Sequence, residues 1–194
     1  QNVSMEFEKG NSYGFVGPNG CGKSVFFKTL CGYSLLTEGH VIYRGKIIGK
    51  EQDFIDDAGI VIEEPEFINS LSGLENLKIL AEIQKKISEV EIIEVLKQFD
   101  LYEDRNKKVG KYSVGMKQKL RLAQAVMEKP QVLILDEPMN GLDKKSVKKV
   151  EDILKAFVEN GGTLLMTSHI EQQVEACCKI VYEIDGGEIL RMTD

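Results

Sequence analysis

Long apolar runs are missing from this sequence of 194 residues. No stretch approaches the roughly 18 consecutive apolar residues that a membrane-spanning helix needs. An excess of positive charge is also missing, because 25 lysines and arginines stand against 31 aspartates and glutamates. The resulting net charge of −6 argues against a protein that binds nucleic acids non-specifically. If the protein acts at a membrane, another chain or a segment outside this sequence must cross it.

Cysteine is scarce, and its spacing excludes two further classes. The four cysteines are Cys21, Cys31, Cys177 and Cys178. Their spacing fits neither a zinc site nor a disulfide framework, so we expect reduced thiols in the cytosol. Two interpretations of Cys21 stay open. It is either an inert small side chain or, because it precedes a helix and lies near Lys23, a reactive thiol that bound phosphates would cover.

A glycine-rich segment that ends in a lysine and a hydroxyl residue stands out among the residues that are present. It reads Gly17-Pro18-Asn19-Gly20-Cys21-Gly22-Lys23-Ser24. A short apolar strand over residues 13–16 precedes it, and an amphipathic helix continues from Val25. Glycines allow the backbone N–H groups to point inward at phosphate oxygens, and the helix start adds its positive dipole. Lys23 can reach the terminal phosphates and the Ser24 hydroxyl can bind Mg²⁺, so the segment predicts a nucleotide-binding loop.

Strand and helix patterns follow one another along the rest of the chain, which indicates an α/β fold. Alternating apolar residues predict a half-buried strand over residues 3–8, and residues 40–48 predict a short antiparallel hairpin. Between about 66 and 127 the apolar period becomes that of helices. Serine–glutamate capping boxes predict two of the helix starts there, at Ser72 with Glu75 and at Ser88 with Glu91. Strands resume at residue 131.

Polar residues follow several predicted strands at their carboxyl ends, where open α/β sheets bind ligands. Glu63, the pair Asp136-Glu137, and His169 each come after an apolar strand. We predict that Asp136 binds Mg²⁺, directly or through water, and that Glu137 orients or deprotonates the attacking water. His169 would contact the γ-phosphate of the nucleotide. The alternative interpretations are a solvated turn for Asp136-Glu137, a structural role for His169 and a surface carboxylate for Glu63.

Taken in order, these motifs closely resemble the ATP-binding subunit of ABC transporters. The resemblance covers nearly the whole chain and rests on the phosphate loop, Ser113-Val114-Gly115-Met116-Lys117-Gln118, Leu135-Asp136-Glu137-Pro138, Gly141-Leu142-Asp143 and His169. It implies a Mg²⁺-dependent ATPase with a P-loop NTPase core, a mainly parallel sheet, a small antiparallel β subdomain and an inserted helical subdomain. We expect one ATPase domain, with its core and β subdomain over residues 1–65 and 128–194 and its helical subdomain over residues 66–127.

The resemblance also implies partners. Two ATPase subunits would bind ATP head to tail, so that Ser113 and Gly115 of one subunit close on the γ-phosphate held by Lys23 and Ser24 of the other. Asp143 would help to organise the opposite site. We expect a homodimer on ATP binding, since all motifs for two equal sites are present. The helical segment would face a separate transmembrane permease, which places the protein at the cytoplasmic face of the cell membrane.

Several positions depart from the usual pattern of this family. Glu63 stands where a glutamine is usual, and we predict that it binds Mg²⁺ or water in place of that glutamine. Val114 replaces the second signature glycine, and Val25, which we count among the nucleotide-binding residues, replaces a threonine. This combination resembles the branch that exports bacitracin- and lantibiotic-type peptides, or multidrug-type efflux relatives. The aromatic residue that stacks on adenine would precede Asn2 and is absent, so we expect a sequence truncated at both ends.

Two other functions stay open from the sequence alone. One is a soluble ABC-type clamp that acts on the ribosome or on DNA. That class normally has a second cassette, a long coiled-coil insertion or a basic linker, none of which is visible. The other is a nucleotide-binding module without catalysis, which the abrupt start of the sequence and Glu63 would allow.

Overall fold

The computed structural model of the chain describes residues 3–63 and 67–192. Within these ranges the strands are β1 (Ser12–Val16), β2 (Ile42–Tyr43), β3 (Lys46–Ile47), β4 (Ala58–Val61), β5 (Val132–Leu135), β6 (Thr163–Ser168), β7 (Ile180–Asp185) and β8 (Glu188–Arg191). The helices are α1 (Lys23–Cys31), α2 (Gly73–Gln84), α3 (Glu89–Gln98), α4 (Val114–Val126), α5 (Lys144–Glu159) and α6 (Glu171–Cys177). The predicted α/β class is therefore confirmed.

The main sheet has six strands in the order β4-β5-β6-β1-β7-β8. The first five run parallel, and β8 is the antiparallel edge. The register pairs Val61 with Leu135, Leu135 with Met166, and Val16 with Ser168, so the carboxyl ends of four strands lie along one edge. This mainly parallel sheet and the separate antiparallel pair β2-β3 agree with the predicted architecture.

Side chains alternate between the two faces of the sheet, as the twofold period of a strand requires. One face packs with α1 and contains the buried residues Tyr13, Phe15, Phe27, Cys31, Ile134, Leu165 and Ile184. The other face packs with the remaining helices and contains Leu133, Leu135, Leu164 and Met166 of β5 and β6. Because both faces are covered, β5 is apolar along its whole length.

Helices α2, α3 and α4 come between β4 and β5 in the chain. Both predicted capping boxes are present, at Ser72 with Glu75 and at Ser88 with Glu91, so the helix starts were predicted correctly. The buried side chains of these helices join those of β5 in one apolar cluster that includes Leu77, Leu96, Leu122 and Leu133. None of the helices in the described residues is long and apolar enough to cross a membrane.

The strand predicted over residues 3–8 is wrong, because those residues form no strand in the structure. Phe7 instead packs edge-on against the Tyr13 ring, with 4.9 Å between ring centroids. The alternation in the sequence reflects this packing of one side chain onto the aromatic cluster; no strand of the described chain pairs with residues 3–8. The hairpin at residues 40–48 is confirmed, with strands of two residues each. Residues 64–65, which follow Glu63, lie outside the described residues.

Candidate functional site

The phosphate loop connects the buried end of β1 to the start of α1. Gly20 and Gly22 have φ angles of 83° and 110°, and these left-handed conformations favour glycine. Gly22 is the N-cap of α1 and provides no side-chain hydrogen bond to the first turn. The backbone N–H groups at this helix start are therefore available to an anion, and the helix dipole favours negative charge there. Pro18 and Asn19, also of the loop, are exposed.

Lys23 folds back over the loop that precedes it. Its side chain is 6% exposed, and its Nζ donates hydrogen bonds to the carbonyl oxygens of Gly17 at 2.8 Å and Pro18 at 3.1 Å. The same Nζ lies 3.9 Å from Oε1 of Glu137, a residue more than a hundred positions away in the chain. The lysine thus places a positive charge between the loop and the end of β5.

Asp136 brings together three separate parts of the chain. Its backbone N–H donates to the Val61 carbonyl at 2.7 Å, which fixes the residue at the end of β5. Its Oδ2 accepts a hydrogen bond from Ser24 Oγ at 2.5 Å, and its Oδ1 accepts one from Thr167 Oγ1 at 2.5 Å. Hydroxyl and carboxylate oxygens are ligands of the kind that Mg²⁺ takes in proteins. Ser24 and Asp136 therefore fit a hard divalent cation.

Glu137 leaves β5 with a φ of 50°, and its N–H donates to Thr167 Oγ1 at 3.0 Å. Its Oε2 lies 2.9 Å from Nδ1 of His169, which extends from the end of β6. Its Oε1 is buried and has no hydrogen-bond partner among the described residues. A carboxylate oxygen without a hydrogen bond in this position can accept one from a ligand or from water.

Glu63 lies at the same edge, but it has a different partner. Its side chain is 63% exposed and forms an ion pair with Lys28 of α1. It is not hydrogen-bonded to Ser24 or Asp136, so a role of Glu63 in binding the metal remains a prediction. Val25 lies on the exposed surface of α1, and Cys21 is half-buried in the loop.

Ser113 and Asp143, which the resemblance assigns to the site of the other subunit, lie at the starts of α4 and α5. Ser113 Oγ accepts a hydrogen bond from the N–H of Met116 at 3.2 Å and so caps α4. Asp143 Oδ1 accepts one from the N–H of Ser146 at 2.8 Å, and this backbone hydrogen bond lowers the pKa of the Asp143 carboxyl. Among the described residues, no hydrogen bond of Ser113 or Asp143 reaches the phosphate loop.

Gly115 also lies in this second region. A Cβ on Gly115 would stand 3.1 Å from the carbonyl oxygen of Gly141, which brings the start of α4 against the segment before Asp143. Ser113 and Asp143 are exposed, as is Val114, whose side chain is 69% exposed. The structure therefore brings Ser24, Asp136, Glu137, His169 and Lys23 together, and it leaves the signature residues on a separate surface.

Two residues of the site were not predicted from the sequence. Thr167 is fully buried, and its hydroxyl links the Asp136 carboxylate to the backbone of Glu137. Its position two residues before His169 was the available indication. Gln118 is buried in α4 and donates to the Pro138 carbonyl at 2.8 Å, so it ties the signature helix to the segment after Glu137. Its helical spacing from the apolar residues Leu122 and Ala125 was the indication there.

Comparison with known proteins agrees with this geometry. The family model "ABC transporter" matches residues 1–140. YybJ of Bacillus subtilis, an ABC transporter ATP-binding protein, is 38% identical over 97% of this chain and 86% of its own length. The lantibiotic transport ATP-binding protein SrtF of Streptococcus pyogenes is 34% identical over 97% of this chain and 81% of its own. The bacitracin transport ATP-binding protein BcrA of Enterococcus faecalis is 33% identical over 97% of this chain and 62% of its own.

Solved structures show the same fold. The dimeric ATP-binding cassette MJ0796, in a post-hydrolysis state bound to ADP and phosphate, superposes with a TM-score of 0.87 at 22% identity, covering 100% of this chain and 90% of that one. The chain spans 61–62% of the length of three longer relatives from B. subtilis, YhcH, YdbJ and YcbN.

The fold and the site together define a P-loop ATPase of the α/β class. More narrowly, the chain belongs to the ABC transporter family as an ATP-binding, ATP-hydrolysing domain.

Proposed function

We propose that the chain binds Mg²⁺–ATP at residues 17–24 and hydrolyses it to drive export of a substrate through a separate membrane permease. The observation that carries this proposal is the meeting of α1, β5 and β6 at one point. There Ser24, Asp136 and Thr167 are joined by hydrogen bonds of 2.5 Å, and Lys23 reaches Glu137. Phosphoryl transfer needs positioning and charge neutralisation more than covalent chemistry, and this arrangement can supply both.

Ser24 and Asp136 would hold the metal ion. Their two oxygens already contact each other, and both are of the type that Mg²⁺ prefers. When bound, Mg²⁺ would neutralise charge on the phosphates. Lys23 would exchange its hydrogen bonds with the loop carbonyls for contacts with the terminal phosphates, and backbone N–H groups of the loop after Pro18 and of the start of α1 would hold the remaining phosphate oxygens.

Glu137 would orient the attacking water and accept its proton. Its Oε1 is buried without a hydrogen-bond partner among the described residues, so this oxygen is the one that would accept from water. Oε2 lies beside His169, which holds the carboxylate in position and would contact the γ-phosphate. Thr167 is hydrogen-bonded to the backbone of Glu137 and to the carboxylate of Asp136, so it would hold the general base and the metal ligand in fixed positions relative to each other.

A second copy of the chain would complete the site. Ser113 and Gly115 lie at the exposed start of α4, where backbone N–H groups and the helix dipole favour an anion. We infer that they close on the γ-phosphate bound by the other subunit, and that Asp143 lies next to them in that interface. ATP would then hold the two subunits together, and hydrolysis would release them. The MJ0796 cassette, which has the same fold, is dimeric in its ADP–phosphate state.

The transport role follows from the relatives. SrtF is named for lantibiotic transport and BcrA for bacitracin transport, so we propose that this chain serves an exporter of peptide-like compounds. The permease would be a separate chain, and the ATPase would bind it at the cytoplasmic face of the membrane. We propose that residues 66–127 form a helical subdomain and that this subdomain contacts the permease. Residues 1–65 and 128–194 would form the core and the β subdomain.

Phosphate release by the purified chain, with and without Mg²⁺, tests this proposal. We expect hydrolysis that requires Mg²⁺ and is lost in Glu137→Gln, about a thousandfold below the wild type. The variant should form an ATP-dependent dimer on size-exclusion chromatography, because it binds ATP and does not hydrolyse it. Turnover by Glu137→Gln at the wild-type rate would overturn the assignment of Glu137, and absence of hydrolysis in the wild type would overturn the proposed activity.

A further inference from the structure

Glu63 and Glu137 follow the ends of neighbouring strands at equivalent positions and with the same backbone conformation. Val61 of β4 pairs with Leu135 of β5, and each glutamate lies two residues beyond its member of that pair. Both have a left-handed backbone, with φ angles of 60° for Glu63 and 50° for Glu137. This conformation is uncommon outside glycine, so its repetition at two adjacent strand ends sets both carboxylates at the same edge of the sheet.

Helix α1 supplies one lysine to each of these glutamates. Lys23, at its first residue, lies 3.9 Å from Glu137, and Lys28 in its last turn forms an ion pair with Glu63. Lys28 is four residues after Ser24, so the two lie on the same face of the helix, one turn apart. Ser24 is hydrogen-bonded to Asp136. The ion pair of Lys28 and Glu63 therefore adjoins the candidate metal ligands along one line of α1.

The negative charge of the carboxylates at this edge of the sheet exceeds the positive charge of Lys23. Asp136, Glu137 and Glu63 bring three carboxylates to the place where a polyphosphate would bind, and Lys23 provides one compensating charge. A carboxylate without a cation beside it would repel the phosphates. Lys28 supplies the missing charge to Glu63.

The effect of this pair on folding is small. Lys28 is 28% exposed and Glu63 is 63% exposed, and ion pairs at such positions contribute little to stability. A role of Lys28 through this pair would therefore concern the position and charge of Glu63. This makes the role testable, because a role of Lys28 that does not involve Glu63 would give the same effect whatever residue stands at position 63.

We propose that Lys28 is a positioning residue for nucleotide hydrolysis, which neutralises Glu63 and holds its carboxylate beside the Ser24–Asp136 site. The inference rests on the proposed function, since it assigns a partner to a residue of that site. It predicts that the lysine matters only while residue 63 carries a negative charge.

A double-mutant cycle of Lys28→Met and Glu63→Gln tests this coupling. Lys28→Met alone should lower kcat about tenfold, with KM for ATP changed less, because the unpaired carboxylate loses its position. In the Glu63→Gln background the same change should cost less than about twofold, since a neutral amide needs no cation. Lys28→Arg should stay within about threefold of the wild type, because it keeps the charge.

Binding of ATP in the presence of EDTA provides a readout that does not depend on turnover. Lys28→Met should weaken metal-free ATP binding several-fold when Glu63 is present and leave it unchanged in the Glu63→Gln background. The matched control is the exposed pair Lys97 and Glu94, of 48% and 63% exposure. Lys97→Met should change neither kcat nor ATP binding.

Equal losses from Lys28→Met in both backgrounds, or no loss in either, would overturn the inference. This outcome differs from failure of the proposed function. A wild-type chain that hydrolyses ATP with additive effects in the cycle would contradict the role of Lys28 alone. A wild-type chain without hydrolysis would contradict the proposed activity, and the cycle on metal-free ATP binding would still decide whether Lys28 neutralises Glu63.

Discussion

The candidate site has two regions, the first where α1 meets the ends of β5 and β6 and the second at the starts of α4 and α5. The two regions differ in whether a single chain brings their residues together. In the first region, Ser24 of α1 is joined by hydrogen bonds to the strand-end residues Asp136, Thr167 and Glu137 within a single chain. At the helix starts, Ser113 and Asp143 each make a capping hydrogen bond to their own helix and present an exposed surface. In the proposed function, the first region binds and cleaves ATP within one chain, whereas the second contacts the nucleotide of a second copy.

The largest effect should follow a change in the first region. Lys23→Met removes the charge that lies between the loop and Glu137, together with the two hydrogen bonds to Gly17 and Pro18. We expect phosphate release to fall at least about a hundredfold, as when a preorganised donor to a transition state is lost. Lys148→Met, which removes an exposed lysine of α5, is the control and should keep wild-type turnover. Comparable rates for the two variants would contradict the role of Lys23.

Two serine N-caps allow the second region to be compared with an ordinary helix start. Ser113 caps α4 and Ser88 caps α3, so replacing either by alanine should lower the free energy of unfolding by about 1 kcal/mol. Only Ser113→Ala should also lower hydrolysis, by about tenfold or more, because a hydrogen bond to a charged phosphate is lost. Thermal unfolding and phosphate release, measured on both variants, decide the point. Equal activities would reduce Ser113 to a helix cap.

A smaller effect is expected at Thr167, for which β6 provides its own control. Thr167→Val removes the hydroxyl that joins Asp136 to Glu137, and we expect kcat to fall about fivefold. Thr163 is buried at the other end of the same strand, where its hydroxyl accepts a hydrogen bond from the N–H of Gly10 at 3.0 Å. Thr163→Val should change stability and leave kcat alone. Identical kinetics for the two variants would show that Thr167 is only structural.

The smallest effect is expected at the cysteines, where bound nucleotide should change the rate of thiol labelling. Burial raises the pKa of the Cys31 and Cys177 thiols to about 12, and it raises that of Cys178 as well, so these three stay protonated and slow to react at pH 8. Cys21 is half-buried in the phosphate loop. We expect one fast-labelling thiol without nucleotide, which ATP and Mg²⁺ slow down. Equal labelling rates with and without nucleotide would contradict phosphate binding over Cys21.

The first region could be predicted from the sequence in part. Glu63, Asp136, Glu137 and His169 were predicted to share one edge because the carboxyl ends of parallel strands coincide, and the register confirms this arrangement. The alternation of residues 3–8 led to a wrong strand, since alternation also fits side chains that pack on an aromatic cluster. Neither Lys28 nor Thr167 was predicted. Their partners depend on how α1 and β6 lie against the neighbouring strand ends, which no local pattern records.

The most direct measurement is the crystal structure of the Glu137→Gln variant with ATP and Mn²⁺, in which anomalous scattering locates the metal. We predict Mn²⁺ about 2 Å from Ser24 Oγ and beside Asp136, with phosphates enclosed by residues 17–24 and with Ser113 of a second copy on the γ-phosphate. A metal ion bound away from Ser24 and Asp136, or ATP held without the second copy, would contradict it.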